Sequence, residues 1–481
     1  MEVKNKKWSE DEFQRERQEV LAMWPTGKEV NLDEAIEYHK NLPPSMNYAL
    51  KVAEAKRNGA SLIRTDSGVA SIEGEIELFR YLQSEGHADL LGTIVDSLTR
   101  TCQFERAEQG LRESLRTSKS VLNGFPIVAH GVAKTRKVVE AIQLPVQLRG
   151  NTPDYRLVVE IALASGHTGS SNGAMISFWH YSKDTPLETC IRNAQYQYRL
   201  YGYYEERGVP ILAETSGGFS FSSPYSIPFA GRIIDALLAA EQGAKNLAFS
   251  VNTQGNLAQD VAAIITFPKL GEEYLKRFGY KGVVVTVATS AWGSIFPEDS
   301  AEAFAIISLS AATGVLAKSQ IVHLKTILER VTIPTKEANA ASLRAGKKVI
   351  NMLKDQKIEL DNKVVNTEAK MLELETRAIV DRVIDLGNGD VAVGAIRGVE
   401  SGVLDQPFAA NQYAAGQVMG VRDNEGAVRY LDHGNIPLTK DIVEFHRQKI
   451  AEREKAQGRK VDYKTVIDDL YAISRGPLVT R

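Results

Sequence analysis

Cysteine is nearly absent: Cys102 and Cys190 are the only two in 481 residues, too few and too far apart for a disulfide framework or a zinc cluster. No apolar run reaches the roughly 18 residues of a membrane span, and the opening MEVKNKKWSEDEF has no signal-peptide pattern. An excess of one charge is missing too. Lys and Arg number 58 against 60 Asp and Glu, a formal balance of −2, with no basic stripe suited to nucleic acid. The chain has no repeat, coiled coil or low-complexity segment, no P-loop and no G-x-G-x-x-G fingerprint. The glycine-bearing stretches SGGFS and NTQGNLAQD have room for a phosphate but match neither pattern. Nothing couples a nucleophile to a base in Ser-His-Asp order, which argues against hydrolysis. His167 and His180 read as polar loop residues rather than metal ligands, and no metal site is expected. These exclusions leave a cytoplasmic globular protein that contacts neither membrane nor nucleic acid.

What is present is ordinary in bulk, at 43% hydrophobic and 25% charged residues, and long enough for more than one domain. Residues 1–57 read as a charged helical extension, with Ser9 followed by acids as a capping signal. Eight short apolar runs then alternate with amphipathic helical patterns. They begin SLIRTDSG (61), LLGTIVDSLT (90), VLNGFPIVAH (121), LPVQLRGN (144), PILAETSGG (210), NLAFSVNTQG (246), GVVVTVATSAW (282) and QIVHLKT (320). That alternation predicts a (β/α)8 barrel over 58–334, with a doubly wound open sheet as the alternative. The fourth and fifth runs stand about twice the usual step apart, and the SGHTGSSNGAMISFWHYSKD between them predicts a lid or substrate-facing loop. From 335 to the end, two long helical patterns and a mixed tail predict a smaller α+β lobe.

In such a barrel the chemistry lies where strands end. Those ends supply Arg64 and Asp66, Asp96 and Arg100, Asn123, Arg149, Glu214, Asn252 and Gln254, Ser290 to Trp292, and Lys325 with Glu329. Arginines converging on one mouth suit a carboxylate, because the guanidinium fork matches its geometry. The plainer reading is that each Arg ties strands together through Asp66 or Asp96. Lys325 and Glu329, four apart, read either as a surface ion pair or as mouth residues. From the residues alone, the chain is a barrel enzyme that clamps a small carboxylate.

Several stretches carry a resemblance to a known family: NKKWSEDEF, WPTGKEV, VLNGFP, LPVQLRGNTPD, DALLAAEQGAKN, IPTKEANAA, VRDNEGAVRYL and VDYKTVIDD. Over nearly its full length the chain resembles the large (epsilon) subunit of glutamate mutase, also called methylaspartate mutase. The resemblance implies an isomerase that rearranges the carbon skeleton of glutamate to 3-methylaspartate by radical chemistry, with adenosylcobalamin as cofactor. It implies a separate small subunit carrying the cobalamin-binding D-x-H-x-x-G signature, in a heterotetramer; here only LDHGN comes near, at the wrong spacing. It assigns Arg100, Arg149 and Tyr181 to the substrate carboxylates, Asn123 to the cobalamin face, and Lys325 and Glu329 to the adenosyl ribose. It also exposes departures. Asp66 stands where the family has a third clamp arginine, with Arg64 two residues earlier. Ser171 replaces the acid that holds the substrate ammonium. Ser177 or Phe178 replaces a tyrosine, and Ser290 or Ala291 a histidine. These departures imply a re-aimed clamp in which Arg64, Asp66 and Ser171 help to bind either glutamate in another orientation or a different amino or hydroxy acid. A lyase or aldolase using Lys325 as a Schiff base, and a non-catalytic paralogue, are the remaining alternatives.

Overall fold

The computed structural model describes residues 3–216, 222–291 and 295–479. Nine short strands form one all-parallel sheet: β1 (Leu62–Arg64), β2 (Asp66–Ser67), β3 (Leu91–Ile94), β4 (Val146–Arg149), β5 (Gly169–Ser171), β6 (Leu212–Thr215), β7 (Asn246–Asn252), β8 (Val284–Ser290) and β9 (Ile321–His323). Neighbours pair in chain order from β2 to β9, and β1 pairs with β9. Only Thr65 separates β1 from β2, so the two are halves of one staggered strand and the ring closes as a (β/α)8 barrel. The longest strands, NLAFSVN and VVTVATS, are almost wholly buried, as parallel strands with both faces covered must be.

One expected strand is not there. The run VLNGFP at 121 forms a loop that touches the sheet through a single Val95–Phe125 bridge, and the helix Ile127–Glu140 follows it. β3 pairs directly with β4 instead, and the eighth position of the ring is filled by β5, between β4 and β6, inside the stretch expected to be a lid. Gly-Ser-Ser has poor strand propensity, and only pairing on both sides makes it a strand. The helix that follows, Ala174–Tyr181, is apolar nearly all round and buried through Trp179, so this segment is core rather than lid, while its Ile176 and Tyr181 line the cavity at the strand ends.

Outer helices complete the ring, with Lys336–Leu353 packed between Ile72–Ser84 and Ser300–Leu316. The N-terminal helices open on Ser9 in a full capping box, then pack across the helices beneath β4 and β5. Toward the C-terminus, Lys363–Leu386 lies on Ser226–Glu241 and Leu257–Arg277. The hairpin β10 (Met419–Arg422) and β11 (Val428–Asp432) follows. Arg422 reaches from that hairpin to the backbone oxygen of Gln254, in the loop after β7, at 2.8 Å. Among the described residues no helix is long and apolar enough to cross a membrane.

One buried carboxyl beside the barrel mouth makes folding pH-sensitive. Glu75 accepts the Val69 N–H at 2.8 Å, and its other oxygen has no partner. Burial pushes its carboxyl up to about 8, the Val69 bond opposing only in part. A folded pKa above the unfolded 4.5 means that the folded state keeps a proton the unfolded chain releases. Stability from this group is therefore full below about pH 4.5 and is lost as pH rises toward 8. Glu75→Gln is expected to flatten that decline by about 1–3 kcal/mol in urea unfolding at the two pH values. Parallel pH profiles for variant and wild type would refute it.

Candidate active site

The carboxyl ends of the strands enclose a cavity of about 410 Å³, whose wall includes Arg64, Asp66, Arg100, Asn123, Arg149, Tyr181, Glu214, Arg232, His323, Lys325 and Glu329. The register explains the convergence. Arg64 pairs with His323, Asp66 with Gly92, Arg149 with Ser171, and Ser171 with Glu214. Register partners in a parallel sheet project to the same face, so these groups meet inside the barrel. Gly92 is small for a reason: a Cβ there would meet Asp66 Oδ1 at 2.6 Å and Arg149 Cγ at 3.0 Å.

The floor of the cavity is a closed set of ion pairs. Arg64, wholly buried, donates to Glu214 at 2.8 and 3.2 Å, to Tyr48 Oη at 2.9 Å and to Gln147 Oε1. Arg149 donates through Nε to Asp66 at 2.9 Å and lies 2.9 Å from Glu214 through Nη1. Asp66 also lies 3.3 Å from Arg64 Nε and 3.1 Å from His323 Nε2. Burial by itself would raise both carboxyls. For Asp66, the charges of Arg149 and Arg64 outweigh it, and for Glu214 those same two charges do, so both are held well below the usual carboxylate range. Burial pushes His323 well below its ordinary value despite Asp66, which leaves the imidazole neutral.

Arg100 is placed differently. It ends the one-turn helix Ser97–Arg100, which Asp96 caps through Leu98 N and Thr99 N at 3.0 Å each. Asn123 Oδ1 accepts the Ser97 N–H at 2.9 Å, and Thr152 Oγ1 donates to the Arg100 carbonyl at 2.6 Å. So braced, the guanidinium lies 5.9 Å from the Tyr181 ring centroid and pairs with no acid among the described residues. Tyr181 hydrogen-bonds Asn151, and burial raises its phenol above the ordinary value. Lys325 donates to Glu329 at 3.1 Å at the mouth, both partly buried.

The sequence-chosen residues thus gather around one cavity, with differences in role. Arg64 does not reach the rim in place of a third clamp arginine; it is the floor, engaged by Glu214. Asp66 is in the wall and fixes Arg149. Ser171 sits in the same layer but is too short to form part of the wall, and its buried hydroxyl has no partner. The two histidines read as polar loop residues are otherwise placed, and neither is in the cavity wall: His167 is buried against Thr93 Oγ1 at 3.1 Å, and His180 is in the last turn of the helix Ala174–Tyr181. SGGFS and Trp292 lie mostly outside the described residues. Among the wall residues that were overlooked, two are titratable. His323 shares strand parity with Lys325 in QIVHLKT, and Arg232 stands with Asp235 in the otherwise apolar FAGRIIDALLAA; both patterns were signals.

A closed parallel barrel with arginines gathered over its strand ends is the architecture of an enzyme acting on a small organic anion. A family model described as "Methylaspartate mutase E chain (MutE)" matches residues 42–481. Among curated relatives, the glutamate mutase epsilon subunit of Desulfitobacterium hafniense (strain Y51) is 44% identical, covering 100% of this chain and 99% of that one. That of Treponema denticola is 43% identical with the same coverage, and that of Escherichia coli O157:H7 is 40% identical over 100% of both. The chain belongs to the methylaspartate mutase E-chain family, the large subunit of cobalamin-dependent glutamate mutase, an isomerase that works with a second kind of subunit.

Proposed function

We propose that this chain is the substrate-binding subunit of an adenosylcobalamin-dependent carbon-skeleton mutase of the glutamate to 3-methylaspartate type. Its partner in this reading is a small chain with the D-x-H-x-x-G signature, in a cytoplasmic heterotetramer. The observation that supports the reading is Arg100: a guanidinium beside Tyr181, on a helix whose backbone is braced, with no acid paired to it among the described residues, in the wall of the same cavity as the immobilised Arg149. A carboxylate entering there meets cationic donors. Residues 58–334 form the substrate-binding unit in this scheme, with 1–57 and 335–481 as its supports.

The chain fits the cofactor at one end only. Lys325 and Glu329 present a donor and an acceptor at the mouth, suited to the ribose, and Asn123 lies on the same rim. His433, in LDHGN, follows β11 in the C-terminal hairpin rather than the barrel mouth, which suits a corrinoid held by the second chain. Bound there, adenosylcobalamin supplies the organic radical that starts the rearrangement. This chain's part is to orient the acid through Arg100, Arg149 and Tyr181 and to keep water from the reacting carbons inside a closed barrel. The hydrogen bond from Lys325 to Glu329 supports a role as a polar contact over one as a Schiff-base amine.

The test is to mix the chain with a glutamate-mutase-type small subunit and adenosylcobalamin, then screen glutamate and related acids by electron paramagnetic resonance. A substrate-dependent cobalt–radical signal is expected. Silence with every acid, in a complex shown to be assembled, would favour a non-catalytic role.

A further inference from the structure

An irregular stretch, 401–418, joins the helix Val391–Glu400 to β10 with no helix or strand of its own. Connections of that length in a compact protein are uncommon and usually functional. This one is ordered by a buried carboxylate. Asp405 is 1% exposed, and its two oxygens accept four backbone N–H groups: Gln406 and Gly416 at 2.9 Å each, Gln417 at 2.6 Å and Val418 at 3.0 Å. The chain is thereby folded back on itself as a closed loop. Within it Phe408 takes a left-handed conformation, φ 56°, while its ring stays 43% exposed, so burial does not offset the strain.

Three hydrogen bonds from the middle of the loop land on one short stretch far away in the chain. Ala410 N donates to the Trp179 carbonyl at 2.7 Å, Gln412 N to the Lys183 carbonyl at 2.9 Å, and Asn411 Nδ2 to the Thr185 carbonyl at 2.9 Å. Trp179 and Lys183 bracket Tyr181, the wall residue that ends the helix Ala174–Tyr181. The last carbonyls of a helix have no partner within it, so the Trp179 carbonyl takes one from outside. At the other end of the helix, Asp235 accepts the Ala174 N–H at 2.9 Å and the Met175 N–H at 3.4 Å. The helix that carries Ile176 and Tyr181 into the cavity wall is therefore held at both ends, and the hold beside Tyr181 is the Asp405 loop.

We infer that Asp405, which is outside the cavity wall, is a positioning residue for the site: by closing the 405–418 loop it fixes Tyr181 against the substrate. This deepens the mutase reading and rests on it. Asp405→Asn keeps the size but turns one acceptor of N–H groups into a donor. Hydrogen exchange of the chain alone is the first measurement. Amides of 177–183 are expected to exchange at least about tenfold faster in the variant, while those of β7 and β8 keep their rates. The second uses the complex with its small subunit and adenosylcobalamin. There the concentration of glutamate, or of whichever screened acid responds, that half-saturates the cobalt–radical signal is expected to rise at least about fivefold. In a Tyr181→Phe background Asp405→Asn is expected to add less than about twofold, because both changes act through one phenol, whereas a merely structural role predicts full additivity. Unchanged exchange at 177–183, an equal rise in β7 and β8, an unchanged half-saturating concentration or full additivity each overturns the inference. Should Asp405→Asn not fold, Asn411→Ala, which removes only the side-chain bond to Thr185, carries the same measurements. Any of those results alongside a radical signal defeats this inference alone, whereas silence with every acid defeats the mutase reading and this inference with it.

Discussion

Arg100→Lys is expected to lower kcat/KM by about 10²–10³-fold while leaving the affinity of the complex for cobalamin almost unchanged. Lysine keeps the charge but loses the planar fork, so a carboxylate held by two parallel bonds is held by one and swings. The loss should be large because the site is built to hold this group still. Asp96 caps its helix, Asn123 ties the Ser97 N–H, and Thr152 ties the Arg100 carbonyl. A shift of an ångström at a reacting carbon is enough for an effect of this order. Steady-state kinetics and a cobalamin titration on the same preparation check it. Should cobalamin affinity fall as far as turnover, Arg100 belongs to the subunit interface and not to the substrate.

Glu214→Gln is expected to destabilise the fold by about 3–5 kcal/mol, the usual cost of removing one partner from a buried pair. Arg64 is wholly buried with Glu214 as its main acid, and Arg149 leans on the same carboxylate at 2.9 Å. Neutralising it leaves two guanidinium groups against Asp66 alone. Adding Arg64→Met should restore part of the loss, because the uncompensated charge goes with it. Denaturant unfolding of both variants is the measurement, and a double variant no more stable than Glu214→Gln would count against the pairing. The same pair sets an acid limit. Since the folded Glu214 and Asp66 carboxyls lie below their unfolded values of 4.5 and 3.8, their contribution is full above those values and is lost as pH falls below them.

How much of this could be read from the chain depends on the element. The runs at 246 and 282 are apolar, seven residues long when folded, and unmistakable as strands. β5 is three residues of Gly and Ser, with no local pattern at all. VLNGFP had the composition of a strand, yet Gly124 packs where a Cβ would lie 2.7 Å from Asp96 N and Ile94 O, and the segment stays a loop. The count of eight came out right because one wrong strand stood in for one hidden one.

Taken by itself, the chain determined the barrel, the strand ends that carry Arg64, Asp66, Arg100, Arg149 and Lys325, and the family. Those follow from local periodicity and from stretches of matching sequence. Only the tertiary structure decided which of these charges are spent on one another. Arg64 and Glu214 are 150 residues apart, and Asp66 and Arg149 are 83 apart. Whether a guanidinium grips a ligand or a neighbouring carboxylate depends on which strands lie side by side and in what register, and that is a property of the closed ring rather than of any one segment.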